Sequence, residues 1–180
     1  MHMRRKGTTI RGKAAKKKGT RAELKVRNAL RTIYPAENRD AVQRVPLSGA
    51  GAMKGDVMDM NDPLSCYEVK CCETLVLHDW WRQAKSQAGT ARTPILVITQ
   101  SYRPFYYIMR TKDWSEMVAH SIYKKFTDTA SFVRARNLFD RLAELDSRTC
   151  AEIELDDDPV FIIPENFYLE VKKDLYYTDR

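Results

Sequence analysis

Three absences in the 180-residue sequence limit what the protein can be. No apolar run approaches the roughly 20 residues of a membrane-spanning helix, so we expect no membrane association. No apolar segment follows the basic N-terminus, as it would in a secretory signal peptide. No Cys-x-x-Cys pair marks a zinc site, and four cysteines in a chain of this length do not indicate a disulfide framework. We therefore expect an intracellular protein with reduced thiols.

Acidic residues are also missing from residues 1–19, which contain eight Lys and Arg. Residues 1–54 contain 15 basic and 3 acidic residues, whereas the remainder contains 16 and 21. Because residues 1–18 can bury little and their charges repel each other, we expect them to form a flexible basic arm. Such an arm could neutralise the phosphates of a nucleic acid, or it could be a solvated tail without a partner.

The spacing of the apolar residues predicts an α/β fold with a central mixed sheet flanked by helices. A capping box at Thr20 and Glu23 opens the first predicted helix, and Pro35 ends it. The next expected elements are strands at residues 41–46, 55–60 and 65–72, a helix at 77–89, and strands at 94–99 and 105–109. Beyond residue 110 we expect helices at 113–123 and 129–145 and strands at 160–163 and 167–171.

Two copies of one pattern of charged residues are candidates for a catalytic site. Asp56 precedes Glu68-Val69-Lys70 by twelve residues, and Asp158 precedes Glu170-Val171-Lys172 by the same spacing. Only the first copy lies close in sequence to a glycine-rich loop, at residues 47–55, and to the basic N-terminal segment. We therefore favour the first copy.

The first copy suits a site for a divalent metal. Glu68 and Lys70 point to the same face of a strand, because side chains two residues apart share a face. Asp56 lies on the neighbouring predicted strand and can meet Glu68. Two facing carboxylates repel each other unless a cation lies between them, and oxygen ligands favour Mg²⁺ or Mn²⁺. With the Lys70 ammonium beside it, such an ion can activate water and stabilise charge on a phosphate, which is the chemistry of phosphodiester hydrolysis.

Four segments between about residues 16 and 110 resemble a known nuclease family. They are KKKGTRAELKVRNAL, RVPLSGAG, GDV and YEVK. In this order they resemble the archaeal-type Holliday junction resolvases, which are PD-(D/E)xK, restriction-endonuclease-like nucleases, and a viral member would fit. The resemblance implies a restriction-endonuclease-like core at residues 19–110, with residues 111–180 as a helical and β extension packed on it. Where this family has Pro-Asp, the chain has Gly55-Asp56.

The resemblance also implies roles for individual residues. The matched catalytic residues are Glu23, Ser48, Asp56, Glu68 and Lys70. The implied metal ligands are Asp56 and Glu68, the carbonyl of Val69, and Glu23, which helps to hold the metal or its waters. The metal would be Mg²⁺, with Mn²⁺ as its substitute. Glu23 could instead be only the glutamate of the capping box, and Ser48 only a turn residue.

Basic residues around these segments are candidates for contact with a DNA backbone. They are Lys16, Lys17, Lys18, Arg21, Arg44 and Lys54. Those before the first predicted helix lie at a helix N-terminus, which itself attracts anions. Arg44 could instead be an exposed strand residue. Gln83 and Gln87, one turn apart on the second predicted helix, either support the site or form part of a solvated face.

The combined expectation is a Mg²⁺-dependent endodeoxyribonuclease that resolves Holliday junctions by paired nicks, acting in DNA recombination or repair. It would work in the cytoplasm, or in the host cytoplasm if the chain is viral. Its partners would be branched double-stranded DNA and a second copy of the chain, because a twofold homodimer presents two equivalent sites to a four-way junction. The alternatives are another nuclease of the same fold, of the repair or restriction type, and a non-catalytic nucleic-acid-binding protein. An interaction protein that acts through its acidic C-terminal part is a further alternative.

Overall fold

Eight strands form one mixed sheet in the computed structural model, which describes residues 10–46, 54–121, 128–131 and 138–178. In chain order the strands are β1 (Val42–Arg44), β2 (Val57–Asp59), β3 (Ser65–Cys71), β4 (Thr93–Thr99), β5 (Tyr106–Arg110), β6 (Asp128–Ser131), β7 (Thr149–Leu155) and β8 (Asp158–Pro164). Their order across the sheet is β1-β2-β3-β4-β5-β8-β7-β6. The β3–β4 and β6–β7 pairs are parallel, and the other neighbouring pairs are antiparallel.

Helices cover both faces of this sheet, which confirms the predicted α/β class with a restriction-endonuclease-like arrangement. They are α1 (Ile10–Arg31), α2 (Leu77–Ala88), α3 (Thr111–Ala119), α4 (Leu138–Ala143) and α5 (Glu165–Thr178), with a 3₁₀-helix at Ala36–Ala41. Within the described ranges, none of these helices has both the length and the apolar character that crossing a membrane would require.

The two faces of the sheet bury separate apolar clusters. One cluster joins α1, α3 and α5 to the sheet, and Tyr67 and Val69 of β3 belong to it. The other cluster joins α2 and α4 to the opposite face. Because side chains alternate along a strand, Glu68 and Lys70 point toward the face that α2 covers.

The first helix is longer than the sequence pattern predicts. It begins at Ile10, so residues 10–18 are helical and the expectation of a flexible arm is wrong for them. Thr20 and Glu23 lie inside α1, so the predicted capping box is also wrong. The later part of α1 packs on the sheet, and the Ala and Lys residues that precede it favour helix.

The C-terminal third differs most from the prediction. Residues 129–145 are not one helix, because β6 and α4 lie at its two ends, and β7 was not predicted. Residues 167–171 lie in α5 and not in a strand. Phe167 and Val171 are both buried one helical turn apart, a spacing that a short, mostly apolar run does not distinguish from a strand.

Candidate active site

Asp56 lies directly before β2, at the point where the pairing between β2 and β3 ends. The Asp56 N–H donates to the Tyr67 carbonyl at 2.7 Å. In the pairing of the two strands, Val57 lies opposite Tyr67. Further along β3, the Val69 N–H donates to Oδ2 of Asp56 at 2.9 Å. The side chain of Asp56 thus accepts a backbone hydrogen bond that a neighbouring strand would otherwise accept. It lies beside the backbone that carries Glu68.

Gly55 sets the course of the chain into Asp56. Its φ is +100°, and an added Cβ would lie 3.1 Å from the Tyr67 carbonyl oxygen and 3.3 Å from the Cys66 sulfur. Its N–H donates to Oε1 of Gln87 at 2.6 Å. Proline fixes φ near −65° and has no N–H, so this backbone excludes the Pro-Asp of the resolvases. Of the two interpretations of Gln87, the contact with Gly55 favours support of the site.

Glu68 and Lys70 form a close ion pair on the α2 face. The Lys70 ammonium lies 2.5 Å from Oε1 of Glu68, whose side chain is only 2% exposed. Oε2 of Glu68 is buried and has no hydrogen-bond partner. Burial, and then the negative charge of Asp56, raise the pKa of Glu68, and Lys70 and the Gln87 amide oppose the rise.

This donor set fits a divalent cation. In the described ranges, no group of three His, Cys, Asp or Glu side chains is arranged to hold a metal ion, but Asp56 and Glu68 offer two carboxylates. A bound cation would give the free oxygen of Glu68 a partner and would offset the repulsion between Glu68 and Asp56. It would also lower the pKa of Glu68, which burial and Asp56 raise. Mg²⁺ is commonly bound by one or two carboxylates together with substrate phosphates and water. A role for the Val69 carbonyl stays a prediction.

Glu23 has a different partner from the one implied by the resemblance. It forms an ion pair with Arg44, which also lies 3.5 Å from the Thr20 hydroxyl. Helix α1 carries Glu23 on the face of the sheet opposite to Glu68. Arg44 is thus a part-buried residue in an ion pair and not an exposed strand residue, and its contact with phosphate stays a prediction. The metal-holding role of Glu23 stays a prediction.

Two of the other predicted positions belong to the loop between β1 and β2. Ser48 lies outside the described residues, so its role stays a prediction. Lys54 is described, and its side chain is exposed directly before Gly55.

The basic face of α1 extends past the end of β3. Lys18 pairs with Glu73, two residues beyond the end of β3 at Cys71. The eight residues from Lys18 back to Ile10 span about 12 Å of helix, because each adds about 1.5 Å. Lys16 and Lys17 lie on this overhang and are exposed. The positive charge therefore lies at the end of β3 that carries Lys70, and contact of these residues with DNA stays a prediction.

The second copy of the pattern does not assemble. Asp158 lies in β8, where it accepts hydrogen bonds from Lys85 at 2.8 Å and from Trp81 at 3.0 Å. Glu170 lies in α5, 3.0 Å from Arg148. The spacing of twelve residues has no geometric meaning here, because one acid is on a strand and the other is on a helix. The choice of the first copy agrees with this geometry.

Comparison with protein families finds a match over most of the chain. The family described as "Phage putative PDDEXK endonuclease" matches residues 14–150 of the chain. This stretch contains Asp56, Glu68 and Lys70 and ends before Asp158. A search of curated proteins and a search of solved structures each found no match.

Proposed function

Since the chain belongs to the phage PDDEXK endonuclease family, we propose that it is a metal-dependent DNA endonuclease that resolves four-way junctions by paired nicks. The coarser statement, a nuclease of the PD-(D/E)xK type, follows from the family itself. The observation that carries the mechanism is the buried Glu68 carboxylate, held between Asp56 and Lys70 with one oxygen unpartnered.

Each side chain of the site has a distinct task in this proposal. Asp56 and Glu68 would hold a divalent metal ion, Mg²⁺ or Mn²⁺, which would supply Lewis acidity toward a phosphate oxygen. The Lys70 ammonium orients the attacking water and stabilises the negative charge that develops on the phosphate. Gln87 fixes the backbone before Asp56 through the Gly55 N–H.

The preference for branched DNA rests on the resemblance to junction resolvases and on the charge of α1. Lys16, Lys17 and Arg21 are exposed on α1 and would contact phosphates without reading bases. A homodimer would present two such sites to opposing strands of a four-way junction, which has approximate twofold symmetry. Nucleases of the repair or restriction type would use the same catalytic residues, so the substrate must decide between them.

Cleavage of two DNA substrates tests the proposal. A labelled four-way junction and a linear duplex are incubated with the protein in Mg²⁺, in Mn²⁺ or in a chelator. We expect symmetric cuts in the junction that are lost in the chelator and in the variants Asp56→Asn and Lys70→Ala. Glu170→Gln is the matched control and should cut as the unmodified chain does, because Glu170 pairs with Arg148 on the surface.

Three outcomes would contradict the proposal. Equal cutting of the linear duplex would assign the chain to the repair or restriction type. Binding without cutting in any metal would make it a DNA-binding protein. Loss of cutting in Glu170→Gln alone would move the site to the second copy of the pattern.

A further inference from the structure

The turn between β4 and β5 presents one aromatic side chain entirely to solvent. Tyr102 is fully exposed, although it is large and partly apolar. Its φ of +62° lies in the left-handed region, which residues other than glycine adopt only where the surrounding structure imposes it. The backbone at Tyr102 is therefore in a conformation that its own preference disfavours, and its ring is open to solvent.

Hydrogen bonds fix this turn on both sides of Tyr102. The Thr99 hydroxyl lies 3.0 Å from the carbonyl oxygens of both Gln100 and Arg103. The Gln100 amide donates to the Glu73 carbonyl at 2.9 Å, and the Ser101 N–H donates to the Glu73 carboxylate at 3.4 Å. The turn is thus tied to the loop that follows β3, so the backbone that carries the ring has a fixed position.

Tyr102 lies at the same end of the sheet as the candidate catalytic lysine. In the parallel register of β3 and β4, Lys70 lies opposite Ile98, four residues before Tyr102. Four residues span at most about 14 Å, and neighbouring strands are about 4.8 Å apart. The Cα atoms of Tyr102 and Lys70 are therefore within about 19 Å of each other, or roughly five to six base-pair steps of B-DNA.

Four basic side chains lie at the same end, two of them in ion pairs and two exposed on α1. Glu73, which holds the turn, is paired with Lys18 of α1. Arg103 follows Tyr102 directly and lies 2.5 Å from Asp140 in an exposed pair. The overhang of α1 with Lys16 and Lys17 begins at this level. A polyanion drawn to these cations would pass close to the Tyr102 ring.

We infer that Tyr102 is a stacking platform for a DNA base that is left uncovered at a branch point. This inference rests on the proposed function and names the residue that distinguishes branched from linear DNA. Inside a duplex both faces of each base are covered by neighbours, whereas a branch point uncovers them. An aromatic ring stacks on any base, so the contact selects structure and not sequence.

Binding in a chelator tests this inference without any dependence on cleavage. The full chain is titrated with a four-way junction, a linear duplex of the same arm sequence and a duplex with a three-base bulge. We expect Tyr102→Ala to weaken junction and bulge binding about tenfold and duplex binding less than about twofold. Tyr102→Trp should restore the affinity, because it keeps a stacking ring. Tyr177→Ala, which removes another exposed tyrosine, should change none of the three.

The outcomes separate this inference from the proposed function. If the unmodified chain binds the junction no better than the duplex, the resolvase assignment fails, and the bulged duplex alone then decides the role of Tyr102. An unchanged affinity of Tyr102→Ala for both junction and bulge overturns the inference. So does an equal loss on all three DNAs, because it would indicate a general backbone contact. Melting temperatures within about 2 °C of the unmodified chain exclude a folding defect.

Discussion

The position of the Asp56 carboxylate depends on the residue before it. The shared face of Glu68 and Lys70, with Asp56 on the neighbouring strand, could be predicted from the sequence, because alternate residues of a strand point to the same face. The contact between Gly55 and Gln87 could not, because it joins residues 32 positions apart through a backbone with positive φ. Nor could the pairing of Glu23 with Arg44, since the spacing alone does not show which face of the sheet a helix covers.

Replacing Gly55 by alanine tests whether this backbone is required. The new Cβ would lie 3.1 Å from the Tyr67 carbonyl, at a φ that alanine adopts with strain. We expect Gly55→Ala to lower the free energy of unfolding by about 2–3 kcal/mol, measured by urea denaturation.

Gly89→Ala is the matched control for this change. Gly89 also has positive φ, but a Cβ there would meet nothing within 4 Å. It should cost only the conformational strain of its φ of +64° and ψ of −149°, without a steric clash, and therefore less than Gly55→Ala. Equal losses in the two variants would mean that the close approach of Gly55 to β3 has no energetic consequence.

Among the elements, α1 and α5 show where the spacing of apolar residues fails to predict a helix. β3 and β4 were predicted nearly to their ends, because alternation and a continuous apolar run are distinctive strand patterns. The start of α1 was missed because Lys-rich charge suggested an arm, although Lys and Ala favour helix. α5 was missed because the apolar run at residues 167–171 is too short to distinguish helical spacing from strand alternation.

The overhanging part of α1 gives a prediction about salt dependence. If Lys16 and Lys17 contact phosphates, the double variant Lys16→Ala/Lys17→Ala should show a shallower slope of log affinity against log salt concentration. The slope should decrease in magnitude by about 2, because each phosphate contact contributes about 0.9. The slope is measured on linear duplex in a chelator, by fluorescence anisotropy at several salt concentrations.

Lys112→Ala/Lys173→Ala removes the same charge from exposed positions on α3 and α5 and is the control. It should leave the slope unchanged. A similar decrease in both double variants would show that the effect comes from net charge and not from the position of α1 beside the site.

At the scale of the whole molecule, the residues beyond 110 continue the sheet of the catalytic part. β8 pairs with β5, with Val160 opposite Arg110, and α5 returns across the sheet to the turn between β2 and β3. There the buried Lys172 forms an ion pair with Asp62 and lies 3.9 Å from Asp59. This tether joins residues 110 positions apart, which no local pattern in the sequence could predict.

The Lys172 tether should therefore contribute much more to stability than an exposed pair does. Burial alone would lower the pKa of Lys172, but the acids around it raise the pKa above its ordinary value, so the ammonium is charged. Lys172→Met leaves Asp62 and Asp59 without their cation and should lower the free energy of unfolding by about 3–5 kcal/mol in urea denaturation. Arg148→Met breaks the exposed pair with Glu170 on the same helix and should cost less than about 1 kcal/mol.

In a double-mutant cycle, Lys172→Met combined with Asp62→Asn should cost less than the sum of the single changes, because the second removes a charge that the first left unpaired. Additive costs would mean that α5 is held by its apolar face alone.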